Sequence, residues 1–210
     1  MKDLLAELER VRRSVGRNAA PDGPVHVVEL RRTYDARTED VWDACTNRER
    51  IPRWFLPITG DLRRGGRFQL EGNAGGEITE CEPPRRLAVT WEFGGEASLV
   101  TLDLAPAGDA ATQLVLRHAV PDNDHWATYG PGATGVGWDL GLLGLALHLR
   151  TGASVDPTAF ETNPETRACM RRSAADWGAA HVAAGAQAAV ADEAAARTSA
   201  FYAPDPERAV

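Results

Sequence analysis

Gly135-Val-Gly-Trp-Asp-Leu-Gly-Leu-Leu-Gly-Leu-Ala-Leu-His-Leu149 is the stretch of sequence that decides the fold. It contains no proline, and its length suits an α-helix of about four turns. The segment is apolar almost all round, whereas a helix on a protein surface keeps one polar face. A glycine inside a helix costs about 1 kcal/mol relative to alanine, so the repeated glycines indicate close packing against the backbone. We therefore expect a helix enclosed by the domain, with a sheet on one side and further helices on the other.

Length and charge limit the classes of protein to which the chain can belong. Its 210 residues suffice for one medium-sized domain with extensions, and its formal net charge of −7 disfavours binding to nucleic acid or to an anionic membrane. The apolar helix is too short and too interrupted for a membrane span, which needs about 20 apolar residues. The N-terminus is charged and lacks the apolar core of a signal peptide, so we expect a cytoplasmic protein.

The metal-ligating residue types form no pattern that predicts a metal or a cofactor. Three cysteines are scattered along the chain without a Cys-x-x-Cys pair, namely Cys45, Cys81 and Cys169. Neither a disulfide framework nor a zinc site is therefore expected. Asp122, Asp124 and His125 share one polar loop without a partner at ligand spacing, which favours a solvated turn.

The chain before the central strands contains a predicted helix, a linker and the first strand. Leu4, Leu8, Val11 and Val15 follow helical spacing with charges between them, which predicts an amphipathic helix. Thr38, followed by two acidic residues, is the expected N-cap of a short helix. The predicted elements are a helix over 2–15, a linker over 18–24, a strand over 25–34, and short helices over 38–47 and 48–54.

Alternation of apolar and polar residues predicts six further strands. Leu87, Val89, Trp91 and Phe93, for example, share one face of such a strand. Connections of hairpin length predict antiparallel pairing. The six strands cover 58–64, 67–70, 77–81, 87–93, 98–104 and 112–119.

The remainder of the chain is predicted to be helical apart from two irregular segments. Residues 120–134 are expected to form a long loop, of a size that often serves as a lid. Residues 151–162 are irregular, and Asn163-Pro164-Glu165 is a strong helix start, with a helix expected to Ala184. Gln187 to Tyr202 reads as a last, alanine-rich helix.

Six motifs occur together within residues 25–150. They are Arg31-Arg-Thr-Tyr-Asp-Ala-Arg-Thr-Glu-Asp-Val-Trp-Asp-Ala-Cys-Thr46, Ile51-Pro-Arg-Trp-Phe55, Gly65-Gly-Arg-Phe68, Gly76-Glu-Ile-Thr-Glu-Cys-Glu-Pro-Pro-Arg-Arg-Leu87, Val89-Thr-Trp91 and Gly135-Val-Gly-Trp138. As a set they resemble the branch of the START-like (SRPBCC) superfamily that is named for the activator of the 90-kDa heat-shock protein's ATPase.

The resemblance implies an α+β helix-grip fold, as in the major birch-pollen allergen. In that fold a seven-stranded, curved antiparallel sheet surrounds a long C-terminal helix. Members of the superfamily bind lipids, sterols, polyketides or plant hormones between sheet and helix, and some are cyclases or hydrolases. The eukaryotic activators carry an additional N-terminal domain that residues 1–24 are too short to supply, so the resemblance does not imply chaperone activation.

The resemblance also implies a domain organisation. Residues 1–24 are expected to form an N-terminal amphipathic helix and linker, and residues 25–150 the helix-grip domain. Residues 151–210 lie outside the common core and resemble a helical extension of some bacterial members. We expect this extension to pack on the domain or on a second subunit.

Eleven side chains are candidates for the lining of an apolar ligand cavity: Trp54, Phe68, Leu70, Val89, Trp91, Leu102, Leu116, His118, Trp126, Trp138 and Leu142. The aromatic members either stack on a ligand or fill the core. His118 either contacts a ligand, as a hydrogen-bonding group or a base, or is a core histidine bonded to a backbone carbonyl. Asp139 is the best carboxylate candidate beside His118, but we interpret it as serving the N-terminus of its helix. No catalytic residue is assigned.

Three functional hypotheses remain open. The favoured one is a non-enzymatic domain that binds a small apolar molecule, without cofactor or metal. The second is an enzyme that acts on a polyketide-like or aromatic substrate with His118 as general base, which requires a second polar group within about 3 Å. The third is an interaction module, in which the N-terminal helix and the helices of 163–202 form a homodimer or partner surface.

Overall fold

The elements of the fold follow the alternation and helix signals over most of the chain. The computed structural model describes residues 4–20, 23–155 and 162–204. The strands are β1 (Arg12–Ala20), β2 (Gly23–Tyr34), β3 (Ile58–Gly60), β4 (Arg67–Leu70), β5 (Gly75–Glu82), β6 (Arg86–Phe93), β7 (Glu96–Pro106) and β8 (Thr112–Pro121). The helices are α1 (Leu4–Glu9), α2 (Thr38–Thr46), α3 (Asp124–Tyr129), α4 (Gly132–Thr151), α5 (Pro164–Ala183) and α6 (Ala188–Tyr202), with a 3₁₀ turn at Ile51–Arg53.

One large sheet contains the strands of the described residues, in the order β1-β2-β8-β7-β6-β5-β4-β3. Every pairing from β3 with β4 through β7 with β8 is antiparallel. The predicted α+β class with an antiparallel sheet is therefore confirmed. The sheet has eight strands in the described part of the chain rather than the predicted seven, because β1 adds a strand at one edge.

The strand register places alternate residues of β4–β8 on one buried face. Val100 lies opposite Val89 on one side and opposite His118 on the other. Side chains at every second position therefore meet across the strands, as the pleat of a sheet requires. The buried members of this face include Phe68, Leu70, Ile78, Val89, Val100, Leu102, Leu104, Leu114, Leu116 and His118.

Charged side chains cover part of the opposite face of the same strands. Arg86 contacts Glu80 at 2.6 Å and Asp103 at 2.7 Å, and Arg117 contacts Asp103 at 2.7 Å. The aliphatic stems of such arginines shield apolar surface while their charged ends stay in water. The alternation that the sequence shows is thus an alternation between an apolar face and a charged one.

The helix predicted over Gly135–Leu149 is confirmed and is longer, since α4 runs from Gly132 to Thr151. Two of its glycines, Gly135 and Gly144, lie where neighbouring atoms leave no room for a side chain. A Cβ on Gly135 would overlap the indole of Trp177, and a Cβ on Gly144 would lie 2.5 Å from the backbone oxygen of Trp54. The close packing expected from the glycines is therefore present. No helix in the described residues is long and apolar enough to cross a membrane.

Asp139 of α4 is fully buried and accepts four hydrogen bonds. Arg13 of β1 contacts both of its carboxylate oxygens, at 2.9 and 3.0 Å. From α5, Ser173 Oγ donates at 2.5 Å and Trp177 Nε1 at 2.9 Å. Burial raises the pKa of Asp139, while Arg13 and the other donors oppose that change. Asp139 therefore holds β1, α4 and α5 together. The sequence-based interpretation, in which it serves the N-terminus of its helix, was wrong.

The N-terminal prediction was wrong in its secondary structure. The helix α1 ends at Glu9, and residues 12–15 of the predicted helix belong to β1. The segment predicted as a linker over 18–24 contains the end of β1 and the start of β2. Strand pairing and the burial of Arg13 against Asp139 override the helical spacing of the apolar residues here. The prediction failed because both contacts involve residues outside a local stretch of sequence.

Three smaller differences concern helix termini and a loop. Arg37, not Thr38, is the N-cap of α2, and Thr38 Oγ1 instead lies 3.2 Å from Thr112 Oγ1. The loop predicted over 120–134 contains the end of β8, the short helix α3 and the start of α4. Asn123 caps α3 by accepting a hydrogen bond from the backbone N–H of Trp126. The predicted cap of α5 is confirmed, since Asn163 accepts from the N–H of Glu165.

The described chain divides into two compact units. One contains the described residues within 1–30, 120–143 and 158–210, and the other contains 31–119 and the described residues within 144–157. The boundaries fall within β2, β8 and α4. The buried face of β4–β8 named above belongs to the second unit, and the Asp139 contacts belong to the first.

Replacing Gly144 with alanine tests the close packing of α4. The new Cβ would meet the backbone oxygen of Trp54, which cannot rotate away, so we expect the free energy of unfolding to fall by about 2 kcal/mol. Urea unfolding measures this. Gly137→Ala is the matched control, because its Cβ would meet only the side-chain oxygen of Tyr202, at 3.1 Å. Equal stability of the two variants would contradict the packing described here.

Replacing Asp139 with asparagine tests the buried ion pair. The substitution leaves the guanidinium of Arg13 buried without its bidentate carboxylate partner, so we expect a loss of about 3 kcal/mol in the free energy of unfolding. The control is Glu193→Gln, which breaks an exposed ion pair with Arg197 and should change stability by less than about 1 kcal/mol. Similar effects of the two substitutions would show that Asp139 does not organise these elements.

Candidate functional site

Four side chains from four strands meet on the buried face of the second unit. They are Phe68 of β4, Trp91 of β6, Ser98 of β7 and His118 of β8, here called the Trp91 cluster. The ring of Trp91 lies 6.2 Å from that of Phe68 and 6.0 Å from that of His118, which it meets edge-on. His118 Nε2 lies 2.7 Å from Ser98 Oγ. The cluster thus combines two aromatic rings with a polar pair.

Strand register brings these residues together. Trp91 is directly opposite Ser98, and Val100, two residues after Ser98, is opposite His118. Phe68 is opposite Gly76, and the pairing of Gly75 with Glu92 places Gly76 opposite Trp91. Phe68 and Trp91 therefore lie on either side of Gly76 in the sheet.

Gly76 is itself required by the backbone. A Cβ at this position would overlap the backbone oxygen of Thr90 on the neighbouring strand. A register shift follows between Ile78 and Glu80, at the irregularity of β5. Such bulges bend a strand and redirect its side chains. Gly76 and the bulge that follows it therefore shape the part of the sheet on which the cluster lies.

Burial determines the charge of His118. The side chain is 6% exposed, and this desolvation lowers the pKa of His118 to about 4. The imidazole is therefore neutral at neutral pH, so that one ring nitrogen donates and the other accepts. With neither aromatic ring nor serine hydroxyl charged, the four side chains of the cluster carry no net charge under these conditions.

Ser98 has two polar neighbours but a single hydroxyl hydrogen. Its Oγ lies 3.1 Å from the backbone oxygen of Trp91 and 2.7 Å from His118 Nε2. Either the hydroxyl donates to Trp91 and accepts from His118, or it donates to His118. In both arrangements Ser98 is the polar side chain next to His118. The sequence-based candidate for that position, Asp139, instead binds Arg13, Ser173 and Trp177.

The structure places seven of the eleven predicted lining residues on one sheet face. Around the aromatic and polar members of the cluster, this face carries aliphatic side chains that are all buried. The seven are Phe68, Leu70, Val89, Trp91, Leu102, Leu116 and His118. The alternation of the sequence was sufficient to group these residues.

The other four predicted lining residues have separate surroundings. Trp54 donates from its indole Nε1 to the backbone oxygen of Ala44, at 2.9 Å. Trp126 is buried and stacks on His26, with ring centroids 3.8 Å apart. Trp138 and Leu142 lie on α4, half-buried and buried respectively. Trp126, Trp138 and Leu142 belong to the first unit, so their role in lining a cavity remains a prediction.

Ser98 was missed by the sequence analysis. A signal for it exists, because Ser98 is in phase with Val100, Leu102 and Leu104 along the buried side of β7. A hydroxyl residue in that phase marks a polar point on an apolar face. What alternation does not give is the strand pairing, and only that pairing shows that Ser98 meets His118.

The residues considered for metal binding have other partners. Asp122 contacts Arg17 at 2.7 Å and His26 at 3.3 Å, and these contacts lower the pKa of Asp122. Among the residues that the structure describes, no group of three or more histidine, cysteine, aspartate or glutamate side chains is arranged to hold a metal ion. The Trp91 cluster on the sheet face is therefore the candidate functional site.

Comparisons with known proteins agree with the resemblance seen in the sequence. The family model described as Activator of Hsp90 ATPase homolog 1-like protein matches residues 35–149. The crystal structure of CalU16 from Micromonospora echinospora is 36% identical, with a TM-score of 0.68, covering 81% of this chain and 97% of that one. The solution structure of CalU16 gives a TM-score of 0.70 at 36% identity, covering 83% and 97%.

A more distant likeness extends over a similar share of the chain. EF2215 from Enterococcus faecalis, a conserved protein of unknown function, is 18% identical with a TM-score of 0.59, and the match covers 84% of this chain and 95% of that one. At this identity the likeness shows a shared fold alone. No curated protein matches the chain significantly.

The lowered pKa of His118 predicts acid sensitivity. The unfolded chain binds a proton on this histidine near pH 6.5, whereas the folded protein resists protonation until about pH 4. The neutral His118 therefore contributes fully to the free energy of unfolding above pH 6.5. This contribution, about 3 kcal/mol in total, is lost as the pH falls towards 4. Urea unfolding at several pH values measures the slope.

Two variants separate this effect from general acid denaturation. His118→Gln removes the titrating group, so its free energy of unfolding should fall less steeply between pH 6.5 and 4. His125→Gln, at an exposed histidine of α3, should retain the wild-type slope. If His118→Gln also retains that slope, the folded protein does not exclude the proton from His118.

Proposed function

The chain belongs to the family of Activator of Hsp90 ATPase homolog 1-like proteins, within the helix-grip superfamily, and from this premise we propose that it binds a small, largely apolar molecule against the buried face of β4–β8. In this proposal the Trp91 cluster contacts the ligand, and the protein releases it chemically unchanged. Hydrophobic burial supplies most of the affinity, and the polar pair orients the ligand.

The proposal rests on one observation: the polar pair Ser98–His118 lies among apolar and aromatic side chains on the buried face of the sheet. Ligand sites are lined mainly by hydrophobic and aromatic side chains, with a few polar groups that fix orientation. A sheet face that only had to be filled does not need Ser98 and His118, because the net gain from their mutual hydrogen bond is small after both groups lose water. Trp91 and Ser98 are also only half-buried, whereas Phe68, Val89 and His118 beside them are buried.

A second candidate function is favoured by the short contact of His118. An enzyme with His118 as general base needs a second polar group beside it, and Ser98 Oγ at 2.7 Å meets that requirement. His118 is a weak base, and this favours binding rather than catalysis. A general base works best with a pKa near the working pH, and a pKa of about 4 leaves His118 with a low proton affinity at neutral pH.

Replacing Trp91 with alanine tests the binding function. Nile red, an uncharged apolar dye, serves as a fluorescent probe, and we expect its affinity to fall about tenfold when the indole is removed. Phe93→Ala is the control, because Phe93 lies on the same strand but is 60% exposed. Trp91→Phe retains a ring and should have an intermediate affinity. Melting temperatures establish that each variant is folded.

Native mass spectrometry of the purified protein provides an independent readout. A co-purified small molecule that is released on denaturation with its mass unchanged supports binding without conversion. A folded wild-type protein that carries no small molecule and does not bind Nile red would overturn the proposed function. Conversion of a bound aromatic compound that is lost in His118→Gln would instead favour the enzyme.

A further inference from the structure

The Ser98–His118 pair contains unused hydrogen-bonding capacity. Ser98 Oγ has one hydrogen and two lone pairs. If the hydrogen goes to the backbone oxygen of Trp91, His118 Nε2–H occupies one lone pair and the other is open. If the hydrogen goes to His118 Nε2, one lone pair faces the backbone oxygen of Trp91 at 3.1 Å and the other is open. Whichever tautomer His118 adopts, Ser98 Oγ can accept a further hydrogen bond.

We infer, on the basis of the proposed binding function, that Ser98 Oγ accepts a hydrogen bond from the hydroxyl group of an uncharged aromatic ligand. The pair is then the polar anchor of the site and Trp91 its aromatic contact. The ligand is then a neutral phenol or a related aromatic alcohol. The apolar face alone would not specify this class.

Electrostatics exclude an anionic form of the same ligand. The members of the Trp91 cluster are uncharged at neutral pH, and Val89, Val100 and Leu116 lie next to them on the same sheet face. A carboxylate at this position would be desolvated without a counter-charge in the cluster, which is costly. Protonation of His118 would supply one, but burial of its ring opposes that protonation. A neutral hydroxyl requires no such compensation.

Ring geometry favours an aromatic ligand over an aliphatic alcohol. Phe68 and Trp91 are tilted by 46° with centroids 6.2 Å apart, and Trp91 meets His118 at 66°. These are the separations and angles at which aromatic rings attract one another. The half-buried indole of Trp91 lies with its ring centroid 6.0 Å from that of His118, whose Nε2 contacts Ser98 Oγ. A planar ring beside Trp91 therefore brings its hydroxyl substituent close to Ser98.

Three naphthalene derivatives, titrated into the full-length protein at neutral pH by calorimetry, test the inference. 2-Naphthol is a neutral donor, 2-methoxynaphthalene keeps the oxygen but cannot donate, and 2-naphthoate is anionic. We expect 2-naphthol to bind about five- to tenfold more tightly than the methoxy compound, as one neutral hydrogen bond implies. We expect 2-naphthoate to bind most weakly.

Variants assign the preference to Ser98. Ser98→Ala should bind 2-naphthol and 2-methoxynaphthalene equally, because it lacks the acceptor. Thr101→Ala is the matched control on β7, since Thr101 lies on the opposite face of that strand and should leave the preference unchanged. Near-ultraviolet circular dichroism verifies that both variants retain packed aromatic side chains.

The outcomes separate the inference from the function on which it rests. If 2-naphthol and 2-methoxynaphthalene bind wild-type protein equally, or if Ser98→Ala keeps the preference, the inference is wrong while the binding function stands. If 2-naphthoate binds most tightly, the neutral-ligand argument is wrong. If none of the three compounds binds while Nile red does, the ligand class is wrong. If no probe binds, the inference and the proposed function both fail.

Discussion

The carboxylate of Asp139 is the group around which the first compact unit is arranged. A fully buried carboxylate is tolerated only when donors occupy its oxygens, because an unpaired charge in an apolar interior is too costly. Arg13, Ser173 and Trp177 supply these donors from β1 and α5. Both of these elements must therefore lie at hydrogen-bonding distance from the middle of α4. The apolar helix that dominates the sequence depends on its one acidic residue for its neighbours.

Much of the second unit could be predicted from the sequence, because its signals are local. Alternation assigned Phe68, Val89, Leu102 and His118 to one face, and a side-chain period of two leaves no other assignment once a strand is identified. Glycines in a helix similarly indicated close contacts, as at Gly144 beside Trp54. In each case the pattern is local, even where the neighbouring residue, such as Trp54 for Gly144, is distant in sequence.

The errors have a common origin in contacts between distant parts of the chain. Leu8, Val11 and Val15 follow helical spacing, yet Val15 lies in a strand, because β1 gains its stability from pairing with β2 and from the Arg13 contact across 126 residues of sequence. Ser98 was overlooked for a related reason, since its meaning comes from His118 on another strand. The short helix α3 is different, because its Asn123 cap is a local signal that the sequence contained.

The two polar centres of the molecule differ in a way that separates structure from function. At Asp139 both carboxylate oxygens accept hydrogen bonds, and those bonds come from side chains that the fold itself orders. At Ser98 the hydroxyl oxygen keeps at least one lone pair beyond its contacts with Trp91 and His118. The remaining acceptor at Ser98 is thus the group that the proposed ligand would contact.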